Sequence, residues 1–286
     1  MFDRISNGFA LARSSWAVLM KDKHLLIFPV VSGILFVIVV ASFVVPLATL
    51  VDWTKVQQQA NNGNRVPPWA YAVAFAFYFC TYFVTIFCNS ALLGCAFLRF
   101  NGENPTVGDG FRTAFARLPQ IFAWALVSAT VGLLLKLVEQ AHEKVGQFVA
   151  SLLGTAWSIM TYFVVPVLVV EKTGPMEAVS RSVALLKKTW GEALVGRMGI
   201  GLVLFLLALP ILLVFLAGGY LLATGMVPVG VAMLIAGGVL FLIYLAVAAA
   251  LNTILLAALY QYAADNRVPE GFERETFAGA FTPKAA

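Results

Sequence analysis

From Met198 to Ala264 the chain runs 67 residues without one Asp, Glu, Lys, Arg or His. A soluble core helix is apolar along one stripe, whereas this stretch is apolar all round, as a bilayer interior requires. At about 1.5 Å per helical residue it would reach roughly 100 Å, against a hydrocarbon core of about 30 Å. It must therefore turn. The segment Ala223 to Pro228 supplies the turn, because Gly225 and Pro228 interrupt the pattern.

Four more apolar runs precede it: His24–Val51, Pro67–Leu98, Pro119–Leu135 and Val145–Val170. The first, third and fourth each suit one crossing, and Pro67–Leu98 suits one tilted or extended helix. With the last run counted as two, six crossings are expected. Only 12% of the 286 residues are charged, about half the share of a soluble domain, which excludes an ordinary soluble globule. The fold expected is an all-α membrane protein forming one polytopic domain over 1–286.

The first 23 residues carry Arg4, Arg13, Lys21 and Lys23 but no apolar core followed by a small-residue cleavage site. No cleavable signal peptide is expected, and the first crossing then serves as the insertion signal. Residues Ile5 to Trp16 read as an amphipathic helix lying at the interface. Lys and Arg number fifteen in 1–23, 99–118, 171–197 and beyond 264, against four (Lys55, Arg65, Lys136, Lys144) in the alternate segments. That bias predicts two cytoplasmic termini, consistent with an even number of crossings. The net charge of +5 is mostly this signature and needs no nucleic acid to explain it.

A short unit recurs on the side read as cytoplasmic. Asn7-Gly8-Phe9, Asp109-Gly110-Phe111 and Glu270-Gly271-Phe272 share a pattern, with Glu177-Ala178-Val179 as a diverged copy. The amphipathic stretch Asp109–Leu118 parallels Glu177–Leu186, and Asn89-Ser90 parallels Asn252-Thr253 in the crossings before. Pro105 and Pro175 precede two of these elements, where proline suits a helix start. The expected organisation is an interfacial helix (1–23), a hairpin (24–99), an elbow (100–118), a second hairpin (119–171), an elbow (172–192), a third hairpin (193–264) and a tail (265–286). It amounts to a pseudo-threefold internal repeat.

Three hairpins with surface helices match the mitochondrial carriers in architecture only. Their P-x-[DE]-x-x-[KR] signature is missing after Pro46 and after Pro210. The elbow residues Pro175, Ala178, Ser182, Leu185 and Trp190, with Gly8-Phe9, Ser14-Ser15-Trp16 and Phe28-Pro29, carry a different likeness. In these the chain resembles bacterial six-helix membrane families of unknown function, including relatives of the membrane domain fused to glycerophosphodiester phosphodiesterases. That resemblance implies packing and no chemistry. The phosphodiesterase domain has no room here, since the longest polar segment is about twenty residues.

Motifs for catalysis are missing: no H-E-x-x-H, G-x-S-x-G or P-loop pattern occurs. No enzyme, cofactor or metal site is expected. Glu139, His142 and Glu143 would suit a metal by residue type, but a solvated loop with Lys136 reaching the surface is the reading favoured. His24, among Lys21, Asp22 and Lys23, reads as interfacial. Cys80, Cys88 and Cys95 are spaced eight and seven apart and read as packing.

Two polar sets remain. Asn89, Ser90, Ser158, Thr161, Asn252 and Thr253 lie inside crossings, where they would bond neighbouring helices or line a path for a neutral solute. Pro46, Pro166 and Pro210 would kink their helices, and Gly218-Gly219 would face Gly237-Gly238 in close packing. Arg13, Arg112, Arg117, Arg181, Lys187 and Lys188 lie on the interfacial elements, where anionic headgroups would meet them. The first function expected is a non-enzymatic scaffold or accessory protein acting through these elbows on lipid, a protein partner or a second copy. The alternative is a transporter or channel for a small neutral or lipidic substrate.

Overall fold

The computed structural model describes residues 2–52, 54, 67–141 and 145–272. Among the described residues there are helices and no strands. We label them α1 (Phe2–Lys21), α2 (Ile27–Leu50), α3 (Pro68–Phe100), α4 (Val107–Ala116), α5 (Leu118–Ala141), α6 (Val145–Met160), α7 (Val164–Val170), α8 (Pro175–Ala223) and α9 (Val227–Asp265). A 3-10 turn, Lys23–Leu26, leads into α2. Six segments are long and apolar enough to cross a membrane: Lys23–Leu50, Trp69–Phe100, Leu118–Gln140, Val145–Val170, Ile200–Ala223 and Val227–Asp265. This is the arrangement of a multi-pass membrane protein. The turn expected at 223–228 lies between α8 and α9, with Gly225 at φ +85°.

The chain divides into two compact units. The first gathers 1–30, 91–110 and 184–286. In it α1 packs on α9 and on the 3-10 turn, burying Leu11, Ala12, Val18 and Leu19. Helices α8 and α9 approach closely, but Gly218 meets Gly230 and not the Gly237-Gly238 pair expected. A Cβ on Gly230 would lie 2.9 Å from the Gly218 carbonyl oxygen, while Gly237 faces Val214 and Phe215. Gly219 and Gly238 face open space. Successive helical residues point about 100° apart, so one glycine of each pair turns away from the partner.

The second unit holds 31–90 and 111–183. Phe79, Phe83 and Phe87 stack at four-residue spacing on α3. Phe122 of α5 packs edge-on to Phe79 at 5.0 Å, and Trp124 stacks on Trp157 of α6 at 5.7 Å. The fourth crossing is broken at Thr161–Phe163, between α6 and α7. Pro166 causes it: its ring crowds the carbonyl four residues back, and it has no N–H to bond there. The Phe163 N–H donates instead to Ser182 Oγ at 2.9 Å, in a fully buried site.

The two segments read as elbows differ in their helices. Residues 100–118 form a loop, the short helix α4 and a break at Arg117. Residues 172–192, by contrast, have no end at 192, because α8 is one helix from Pro175 to Ala223. No proline lies between Pro175 and Pro210, and the isolated glycines 191, 196 and 199 are tolerated in a helix. Pro46 and Pro210 lie within α2 and α8. The tail is described to Phe272. Lys55, Arg65, His142, Glu143, Lys144, Arg274 and Lys284 lie outside the described residues, as does most of the loop 52–65.

Candidate functional site

The helices that carry the exposed cations have one buried and one exposed face. On α1 the inner face holds Leu11, Ser15 and Leu19, with the Ser15 hydroxyl donating to the Leu11 carbonyl oxygen at 2.9 Å. The outer face carries Phe9, Arg13, Trp16 and Met20, all exposed and spaced 4, 3 and 4 apart. Such a stripe of aromatic, apolar and cationic side chains suits the boundary between headgroups and acyl chains.

Helix α4 is held at both ends. At its start the Thr106 N–H donates to Asp109 Oδ2 at 2.9 Å, and the Asp109 N–H donates to Thr106 Oγ1 at 3.2 Å. This reciprocal capping box satisfies donors that a helix start otherwise leaves open. Gly110 presses against the preceding crossing: a Cβ there would strike the Phe28 ring, Cys95 Sγ at 2.7 Å and the Ala91 carbonyl oxygen at 2.8 Å. Further along, Phe115 packs edge-on to Phe87 at 5.1 Å. Beyond the helix end, Arg117 Nε donates to the Val169 carbonyl oxygen at 2.9 Å. Arg112 and Phe115, three residues apart on one face, stay exposed.

Two ion pairs brace the approaches to these elements. Arg99, near the end of α3, donates through Nε and Nη2 to the two carboxylate oxygens of Asp22, and through Nη1 to Asn104 Oδ1 at 3.0 Å. The Asp22 side chain is 4% exposed. Arg181 on α8 pairs with Glu171 at 2.9 Å in a more open setting, with side chains 39% and 26% exposed.

Of the six basic residues expected to face headgroups, Arg13, Arg112, Lys187 and Lys188 are exposed. Arg117 and Arg181 are half-buried, and their Nε atoms are engaged within the protein. The polar residues of the crossings separate further. Asn89 is half-buried, while Ser90 is fully buried and its hydroxyl lacks a partner. Ser158 and Asn252 are exposed. Thr161, Asn252 and Thr253 donate to the carbonyl oxygens of Trp157, Ala248 and Ala249, at 2.8, 2.8 and 2.9 Å. Each of these bonds stays within its own crossing.

Three features of the structure were not among those expected. Thr106-x-x-Asp109 is a helix-start signature that inspection of the spacing finds. Ser182 stood out for packing alone, and its bond to the broken crossing was not foreseen. The Asp22–Arg99 pair joins residues 77 apart and has no local signal. The three cysteines are free; Cys88 and Cys95 are buried. Among the described residues no three His, Cys, Asp or Glu side chains gather as a metal site would need.

Residues 69–271 match a family described as "Family of unknown function (DUF6159)", and the chain belongs to it. No curated protein and no solved structure matches the chain.

Proposed function

We propose that the protein is a non-enzymatic scaffold or accessory protein of the bacterial inner membrane. It organises lipid or a partner through basic interfacial helices on the cytoplasmic side, where both termini lie. The observation that carries this reading is the exposed pairing of cations with large apolar side chains: Phe9, Arg13 and Trp16 on α1, Arg112 and Phe115 on α4. The capping box and the seat of Gly110 hold α4 in a fixed position, so its outer face is a preformed surface. The Lys and Arg bias supports the orientation, and the six spans read as three hairpins joined by these elements. The pseudo-threefold repeat rests on the recurring Gly-Phe pairs.

Each exposed cation near an anionic surface is worth about 1 kcal/mol, roughly fivefold in affinity. The variant Arg13→Gln/Arg112→Gln/Lys187→Gln/Lys188→Gln is therefore expected to lose most of the phosphatidylglycerol that co-purifies with the native chain. Quantitative lipid mass spectrometry after matched extraction is the measurement. An unchanged anionic lipid content would sink the reading.

A second reading, a transporter or channel for a neutral or lipidic substrate, draws on the break at Thr161–Phe163, since discontinuous helices often border substrate sites. Against it, Phe163 and Val164 are fully buried and the freed N–H is taken up by Ser182. The variant Asn89→Leu/Asn252→Leu separates the two: a scaffold keeps its lipid profile, and a transporter loses flux.

A further inference from the structure

We infer that a groove between α3, α5 and α6 is a binding site for the zwitterionic headgroup of an aminophospholipid such as phosphatidylethanolamine. The groove encloses about 430 Å³ and is lined by Tyr78, Tyr82, Lys136, Glu139, Gln147 and Ser151. That volume falls within the range of small-molecule pockets, about 300–1,000 Å³. It lies toward the end of α5 opposite Arg117, and no residue that lines it belongs to α1, α4 or α8, so the inference does not rest on the proposed function.

Three observations identify the occupant. First, Lys136 and Glu139 are the only ionisable side chains of the span Leu118–Gln140, and they pair at 2.9 Å with 47% and 40% of their side chains exposed. They lie in the last five residues of that span, at its end, where an exposed pair one helical turn apart stabilises little. An ionisable pair kept there is a reason to look for a ligand. Second, the pair presents both signs side by side, matching a headgroup that carries a phosphate and an ammonium. Lys136 suits the phosphate and Glu139 the ammonium. Tyr78 and Tyr82, stacked with centroids 6.4 Å apart, add ring faces that attract an ammonium.

Third, the helices that line the groove also carry exposed apolar side chains suited to acyl chains. Phe148 and Leu152 of α6 follow Gln147 and Ser151 by one residue each and are exposed, as is Leu134 of α5. Gly132 lies in the groove beside the Tyr82 ring. Charged and aromatic groups with a flanking apolar face fit a lipid better than a free solute.

The test uses the full chain purified in detergent and titrated with phosphatidylethanolamine and phosphatidylglycerol, with bound lipid counted by native mass spectrometry. Lys136→Gln/Glu139→Gln is expected to lose phosphatidylethanolamine binding about tenfold while keeping phosphatidylglycerol. Tyr82→Leu is expected to weaken the same binding, and Tyr82→Phe to retain most of it, because the ring face is what the ammonium meets. This pair keeps the test open if the double variant fails to fold. Loss of neither lipid, or equal loss of both, would overturn the site. Full displacement of the lipid by free phosphoethanolamine would overturn the lipid assignment in favour of a soluble zwitterion. The four-glutamine variant of the interfacial helices is expected to leave phosphatidylethanolamine binding intact, which separates this site from the proposed function.

Discussion

The segments Asp109–Leu118 and Glu177–Leu186 read alike, and yet the chain treats them differently. The first ends in a break at Arg117, and α5 starts anew at Leu118; the second runs on without interruption to Ala223. The residue after the first segment is Pro119, and the residue after the second is Lys187. Proline lacks the N–H that would bond the Phe115 carbonyl and crowds that carbonyl, but it is at ease in the first turn of a new helix. One residue thus decides whether an amphipathic element is free to leave the axis of its crossing. The supports differ as well. The first is tied by the buried Asp22–Arg99 pair and the glycine seat, the second by the more open Glu171–Arg181 pair and by Ala178.

The largest test of that contrast is Asp22→Asn. It strips the counter-charge from a mostly buried guanidinium and is expected to cost about 3 kcal/mol, read as a drop in thermal midpoint in detergent. A loss no greater than that of Glu171→Gln would erase the distinction between the two ion pairs. Next comes Gly110→Ala, expected to cost about 2 kcal/mol net, since overpacking against Phe28, Cys95 and the Ala91 carbonyl outweighs the helix preference of alanine. The reciprocal Ala178→Gly is expected to cost about 1 kcal/mol, mainly propensity. A neutral Gly110→Ala would show that the close approach is dispensable.

Pro119→Ala addresses the break itself. Restoring an N–H able to bond the Phe115 carbonyl is expected to slow amide exchange at Arg117 and Leu118 by about tenfold, with little change in global stability. Exchange as fast as in the native chain would mean that the Arg117–Val169 bond holds the break, not the proline. The smallest effect is assigned to Glu171→Gln: below about 1 kcal/mol, because half-exposed pairs are screened by solvent.

Much of this was open to reading from composition and spacing. Six crossings follow from the placement of charges, since a span excludes ions whatever its neighbours. The turn at Gly225 and the break near Pro166 follow from backbone chemistry that acts within a few residues. The recurring Gly-Phe pairs were legible as letters but not as structure. Gly8 lies inside α1, Gly110 fits against a crossing, and Gly271 adopts φ +91° in a turn after α9. One glycine serves packing, another a left-handed backbone, and spelling does not distinguish them.

The basic residues divide the same way. Arg112 and Arg117 are equivalent in sequence terms, but only the fold brings the Val169 carbonyl to Arg117 and leaves Arg112 outside. The groove of Tyr78, Tyr82, Lys136 and Glu139 needs three helices to exist at all. The sequence by itself determined that this is a helical protein of the membrane, with polar segments confined to its ends, because desolvating charge costs too much anywhere else. Which glycine touches, which arginine is engaged and which tyrosines meet an ion pair were decided by tertiary structure, because those contacts depend on the rotation and register of one helix against another.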